Sequence, residues 1–127
     1  MKSSADVRKK ILIADDVPAS RELIGTILDE AGYNVIEASN GTEALNKARE
    51  LTPDLILLDL HMPLMDGYGV VSALRADPRF SMTPVVALTA SAMQGDRERA
   101  LSAGFTAYIA KPIRVADLRA EVARLVR

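Results

Sequence analysis

The chain alternates five short apolar runs with amphipathic segments, and this alternation restricts its possible folds more than any other feature. The runs lie at residues 11–14, 33–38, 55–58, 85–88 and 106–110. Continuous apolar runs of about four to eight residues are typical of strands that are covered on both faces, as in parallel sheets. The second run is the most polar, which is expected of an edge strand.

The segments between the runs carry apolar residues at the spacing of one helical face. These stripes fall within residues 23–31, 44–51, 70–74, 92–103 and 115–126, and the first begins with Leu23 and Ile24. Gly32, Pro53, Pro78 and Gly104 follow the first four stripes and are predicted to end those helices. Five β-α units with right-handed crossovers predict an α/β fold whose helices cover both faces of an open parallel sheet.

Composition limits the functional class. A length of 127 residues predicts a single domain over residues 1–127, of which residues 1–8 are expected to be disordered. The net charge of -1 argues against direct nucleic-acid binding, and the absence of Cys excludes thiolate metal sites. The apolar runs are far shorter than the roughly 20 residues of a membrane-spanning helix, and no signal peptide is evident. A cytoplasmic location without membrane association is therefore expected.

Polar residues stand where four of the five predicted strands end. They are Asp15, Asp16, Asp59, Thr89 and Lys111. Each one alone is more often a helix cap, a turn residue or a solvated charge. Open parallel sheets, however, bind ligands outside the carboxyl ends of their strands, so these residues are expected to share one site.

Three converging carboxylates require a counter-charge. Two carboxylates about 4 Å apart repel by roughly 4 kcal/mol at an effective dielectric of about 20. Mg²⁺ binds carboxylate, phosphate and water oxygens and would offset this repulsion. With Lys111 and Thr89 covering the remaining phosphoryl oxygens, Asp59 could act as a nucleophile that forms an aspartyl phosphate.

Four stretches together resemble the receiver domain of two-component response regulators, and the likeness extends from about residue 10 to residue 127. The stretches are ILIADD at 11–16, PDLILLDLHMPLMDG at 53–67, PVVALTA at 84–90 and AYIAKPI at 107–113. The resemblance implies a flavodoxin-like (βα)₅ fold with strand order 2-1-3-4-5. It also implies Mg²⁺ as the cofactor, with Mn²⁺ as a substitute. The implied partners are a sensor histidine kinase or histidine phosphotransfer protein and a downstream target protein.

The same resemblance assigns the acidic residues. Asp59 matches the phosphoacceptor, and Asp16 matches a direct metal ligand. Asp15 matches a residue that acts through metal-bound water. The backbone carbonyl of His61 matches the remaining protein ligand of the metal, and the His61 side chain is expected to be only a residue on the rim of the site.

The resemblance also assigns a switch. Thr89 matches the hydroxyl that turns towards the phosphoryl group, and Lys111 matches a conserved lysine whose bond to Pro112 is cis. Tyr108 matches an aromatic residue that changes rotamer, and Gly67 matches a tight-turn glycine. The face formed by the fourth helix, fifth strand and fifth helix is then the output surface. Its expected residues are Met93, Gln94, Arg97, Arg99, Tyr108, Arg114 and Arg119.

The predicted function is a stand-alone receiver that switches on phosphorylation and has no enzymatic activity beyond its own phosphorylation and dephosphorylation. The main alternative is a degenerate receiver that docks without being phosphorylated. A phosphatase of the haloacid dehalogenase type would need Asp where this chain has His61. A flavodoxin would need a phosphate-binding loop where this chain has the acidic pair Asp15 and Asp16.

Overall fold

The computed structural model of the protein describes residues 8–90 and 95–126. Within these ranges, helices and strands alternate along the chain. They are β1 (Lys10–Ala14), α1 (Pro18–Glu30), β2 (Asn34–Ala38), α2 (Gly41–Leu51), β3 (Leu55–Asp59), α3 (Gly67–Arg75), β4 (Val85–Thr89), α4 (Asp96–Ala103), β5 (Ala107–Ala110) and α5 (Val115–Leu125), with a short 3-10 helix at Pro78–Phe80. The predicted disorder of residues 1–7, the first residues of the fourth helical stripe, and the output residues Met93 and Gln94 lie outside the described residues.

The five strands of the described ranges form one parallel sheet in the order β2-β1-β3-β4-β5, which confirms the predicted topology. Every residue of β3 and β4 is buried, as the unbroken apolar runs predicted. The edge strand β2 is only partly buried, which explains its more polar sequence. The order places β1 and β3 at the centre, so their carboxyl ends meet where the connections diverge.

The sheet separates two hydrophobic cores. Successive side chains of a strand point to opposite faces, so Leu12 and Ala14 lie in one core and Ile11 and Ile13 in the other. The first core is completed by α2, α3 and α4, and the second by α1 and α5. Leu118 at the centre of α5 is fully buried in the second core.

The helix limits differ from the sequence prediction in two respects. Leu23 and Val115 were assigned to apolar stripes, but they are 55% and 50% exposed. The buried stripe of each helix is narrower than the sequence pattern, and Ile24 rather than Leu23 faces the sheet. Pro78 does not simply follow α3, because it begins the 3-10 helix after an Asp77 cap.

Arg75, the last residue of α3, ties together the connections on the side of the sheet opposite the strand carboxyl ends. Its Nε donates to the Gly104 carbonyl at 2.9 Å. Its Nη1 donates to the carbonyls of Phe80 and Thr83 at 2.7 and 2.8 Å, and its Nη2 donates to the Thr106 hydroxyl at 3.2 Å. One guanidinium therefore joins the end of α3, the turn before β4 and the turn between α4 and β5.

Candidate functional site

The parallel sheet brings the predicted polar residues to one edge. Asp15 follows β1, Asp59 ends β3, Thr89 ends β4 and Lys111 follows β5. Asp15, Asp59 and Thr89 are buried, whereas Asp16 is exposed. The structure therefore gathers residues that are up to 96 positions apart in the chain.

Asp15, Asp16 and Asp59 each offer one carboxylate oxygen to a cluster in which these atoms lie within 4.8 Å of one another. All three ligand atoms are carboxylate oxygens, the donors that hard divalent cations such as Mg²⁺ prefer. The two buried acids frame the inner side of the cluster, and the exposed Asp16 stands at its solvent side. The arrangement fits a magnesium ion that retains water ligands.

Lys111 joins the two buried acids. Its Nζ lies 3.0 Å from Asp15 Oδ2 and 3.1 Å from Asp59 Oδ2. The sequence argument attributed the neutralisation of the acidic group to a metal ion alone. That attribution was incomplete, because an ammonium group of the chain itself lies between the two buried carboxylates.

Asp15 is held by groups from its own loop and from α1. Val17 N donates to Asp15 Oδ1 at 2.9 Å, and Ser20 Oγ donates to Asp15 Oδ2 at 2.7 Å. Burial acts to raise the pKa of Asp15, but hydrogen bonds from Val17, Ser20 and Lys111 outweigh it, and the pKa is lowered. Asp15 is therefore held as a carboxylate.

Asp59 has the opposite balance. Burial raises its pKa, and the negative charge of Asp15 adds to this effect. The backbone N–H of His61, 2.9 Å from Asp59 Oδ1, and the Lys111 ammonium act in the other direction without reversing it. Burial also opposes the charge of Lys111, but its two carboxylate partners raise its pKa overall. The three groups form one coupled charge cluster.

Gly67 is required by a close approach of the backbone. A Cβ atom at this position would lie 2.6 Å from the Asp59 carbonyl oxygen and 3.0 Å from Leu60 Cα. Gly67 N also donates to the Leu60 carbonyl at 3.1 Å. The glycine thus lets the start of α3 close over the end of β3 and fixes the loop that carries His61.

The residues assigned to the switch lie along β4 and β5. Thr89 is 1% exposed, and its carbonyl accepts a hydrogen bond from Lys111 N at 2.7 Å. Tyr108 lies on β5 opposite Ala87, and burial together with Asp96 and Tyr68 raises its pKa. The bond between Lys111 and Pro112 is cis, as the resemblance implied.

An open groove of about 600 Å³ runs from the site towards α5. Its lining includes Tyr108, Lys111, Pro112, Arg114 and Glu121. It therefore connects the lysine of the charge cluster with the aromatic residue of the predicted output face.

Sequence reasoning missed Ser20 and Arg21, which contact Asp15 from the first turn of α1. Arg21 Nη1 donates to the Asp15 carbonyl at 2.8 Å, and Arg21 Nε donates to Glu37 Oε1 at 3.1 Å. Pro18 was the available signal, because proline favours the first position of a helix and so locates these residues on its first turn.

Comparison with known proteins identifies the family. The model of the response regulator receiver domain matches residues 11–123. The chain belongs to this family. The receiver is 42% identical over 107 residues to the polar-differentiation response regulator DivK of Brucella anthropi, a match that covers 84% of this chain and 87% of that protein.

Solved structures agree with this assignment. The receiver superimposes on the chemotaxis response regulator CheY4 of Vibrio cholerae with a TM-score of 0.89 at 31% identity, covering 94% of this chain and 99% of the other. It superimposes on the receiver domain of a sensor histidine kinase from Pseudomonas aeruginosa with a TM-score of 0.87 at 36% identity, covering 94% and 98%. That second structure has a magnesium ion coordinated in its active-site cleft. In residues 8–90 and 95–126 of the present chain, none of the helices is long and apolar enough to cross a membrane.

Proposed function

We propose that the receiver is a phosphorylation-activated switch of a two-component system or phosphorelay, with Asp59 as the phosphoacceptor. The observation that carries the proposal is the placement of the buried Asp59 carboxylate against Lys111 and within a cluster of three acids. Asp15, Asp16, Asp59 and the backbone carbonyl of His61 would hold Mg²⁺, for which Mn²⁺ could substitute. When bound, the ion supplies positive charge that neutralises phosphoryl oxygens.

The proposed donor is a phosphohistidine of a histidine kinase or histidine phosphotransfer protein. An oxygen of Asp59 attacks phosphorus in line, the new O–P bond forms, and the P–N bond to the donor histidine breaks. The electron pair of that bond stays with the imidazole, which then takes a proton. This transfer depends mainly on position and charge, which the fixed loops and Lys111 provide.

The product adds negative charge and strong acceptor oxygens where Lys111 now contacts Asp59 Oδ2. Lys111 is expected to transfer its hydrogen bond from that carboxylate oxygen to the phosphoryl group. The Thr89 hydroxyl is expected to turn towards the same group. These new contacts favour one of two pre-existing conformations, which is how a local charge change shifts a population.

The proposed output surface is formed by α4, β5 and α5. The groove that extends from Lys111 to Tyr108 gives a physical connection between the charge cluster and this surface. Reorganisation of Thr89 would alter the space available to the Tyr108 ring, and a downstream protein would recognise the resulting surface. We propose no direct contact with nucleic acid or membrane, and a cytoplasmic location.

Exposed apolar residues near the site support docking of a protein donor. Val17 follows the acidic pair and is 47% exposed, and Leu64 follows the phosphoacceptor strand and is 81% exposed. Leu64 also has a φ of 71°, a backbone conformation that costs a non-glycine residue about 1–2 kcal/mol. A strained residue that presents an apolar side chain beside the acceptor is well placed to contact a partner.

The proposal is tested by labelling. The parent protein with Mg²⁺ and acetyl phosphate or beryllofluoride should gain one phosphoryl group or its analogue, located at Asp59 by peptide mass spectrometry. Asp59→Asn should abolish labelling, whereas the matched control Asp29→Asn, on the exposed face of α1, should be labelled like the parent. A parent protein that stays unlabelled would favour the degenerate docking receiver instead. Phosphotransfer from individual kinases of the source organism would then identify the donor.

A further inference from the structure

We propose that Ser20 is a positioning residue of the receiver site, whose hydroxyl determines how the Lys111 ammonium is shared between Asp15 and Asp59. The inference rests on the proposed function, because it concerns the release of Lys111 to a phosphoryl group. Ser20 lies on the third residue of α1 and is partly buried. Its action is through Asp15, and it makes no contact with the phosphoacceptor in the hydrogen bonds of the described ranges.

The backbone of Asp15 is fixed on both sides. Asp15 N donates to the Ala38 carbonyl at 3.1 Å, and the Asp15 carbonyl accepts from Arg21 Nη1 at 2.8 Å. Arg21 is in turn held by Glu37 on β2. Asp15 therefore cannot shift its main chain to compensate for a lost side-chain partner.

The carboxylate of Asp15 is almost fully used. Oδ1 accepts from Val17 N, while Oδ2 accepts from both Ser20 Oγ at 2.7 Å and Lys111 Nζ at 3.0 Å. A carboxylate oxygen has two lone-pair sites, so Oδ2 is saturated by these two donors. Because Asp15 is fully buried, bulk solvent cannot replace either donor.

Two consequences of opposite sign follow from this saturation. The Ser20 hydroxyl draws electron density from Oδ2 and so weakens the hold of Asp15 on Lys111, which eases the transfer of the ammonium to a phosphoryl oxygen. The same hydroxyl also occupies a lone pair that could otherwise accept from a water on a bound cation. Ser20 thus favours phosphoryl recognition at the cost of cation affinity.

The experiment measures both affinities in the full chain. Isothermal titration gives the dissociation constant of Mg²⁺, and fluorine NMR gives that of beryllofluoride at saturating Mg²⁺. Ser20→Ala should bind Mg²⁺ about three- to tenfold more tightly and beryllofluoride about three- to tenfold more weakly, the range expected for one hydrogen bond to a charged group. Ser20→Thr keeps the hydroxyl and should restore both constants. Ser72→Ala removes an exposed hydroxyl from α3 and should leave both unchanged.

The opposite signs separate positioning from a general loss of structure. A variant that is merely less well folded would weaken both constants and lower the melting temperature, and that result would overturn the role of Ser20. Unchanged constants, or two constants that move in the same direction, would overturn it as well. If neither the parent nor any variant binds beryllofluoride, the proposed function fails. The Mg²⁺ constant then decides the contact of Ser20 by itself, and an unchanged value refutes it.

Discussion

Replacing Lys111 by Met should destabilise the metal-free receiver, because it leaves two buried carboxylates without their shared cation. Lys111 Nζ lies 3.0 and 3.1 Å from the two carboxylate oxygens. At such distances each attraction is about 5 kcal/mol at an effective dielectric of about 20. Desolvation of the ammonium offsets much of this attraction, and removing one partner of a buried pair costs about 3–5 kcal/mol net.

The Lys111 side chain is 20% exposed, so the lower end of that range is expected. A loss of about 3 kcal/mol in the free energy of unfolding corresponds to a fall of about 10 °C in melting temperature for a chain of this size. Urea unfolding followed by circular dichroism measures the first quantity, and a thermal melt measures the second. Lys47→Met, which removes a more exposed lysine of α2, is the matched control and should change stability by less than about 1 kcal/mol.

The pH dependence tests the electrostatic cause. Asp59 has a raised pKa, so its contribution to stability is fully present below its ordinary value of 3.8 and is lost as pH rises through the folded-state value. Loss of the ammonium raises that folded-state pKa further and removes the support of the Asp15 carboxylate. The deficit of Lys111→Met should therefore be largest near pH 7 and should shrink towards pH 4.

Magnesium should also shrink the deficit, since the ion can take the place of the missing ammonium and bind the more negative site more tightly. A deficit that is the same at pH 7 and pH 4, with and without Mg²⁺, would refute the reasoning. Such a result would assign the loss to side-chain packing.

Two further predictions concern the backbone and the exposed acid. Gly67→Ala should lower the free energy of unfolding by at least about 2 kcal/mol in a urea titration, because its Cβ would overlap the Asp59 carbonyl oxygen; an unchanged midpoint would contradict the close approach. Asp16→Ala should leave metal-free stability within about 0.5 kcal/mol of the parent while abolishing Mg²⁺ binding by calorimetry, because Asp16 is exposed. A large loss of metal-free stability would show that Asp16 supports the fold.

The fold could be predicted from sequence because hydrophobic burial determines it. The unbroken runs of β3 and β4 are buried on both faces, and the more polar β2 is the edge strand. The exposure of Leu23 could not be predicted in the same way. An apolar residue at the border of a helical stripe can face either side, and only the packing of α1 on the sheet decides which.

The site was predictable to the level of which residues meet, since parallel strands end at one edge. Its hydrogen bonds were not predictable from strand ends alone. The position of Lys111 between Asp15 and Asp59 depends on the reach of a flexible side chain, and the contact of Ser20 depends on where α1 begins. Side-chain conformation and helix phase are set by tertiary packing, which a linear pattern of residues does not record.

The contacts of Arg75 have a consequence for how a signal travels through the receiver. Because one guanidinium fastens the carbonyls of Phe80, Thr83 and Gly104 together, the base of the molecule behaves as a braced unit. Rearrangements that start at the opposite end cannot dissipate there through loosening of those turns. They are instead confined to the upper parts of α4 and β5, where another protein can detect them.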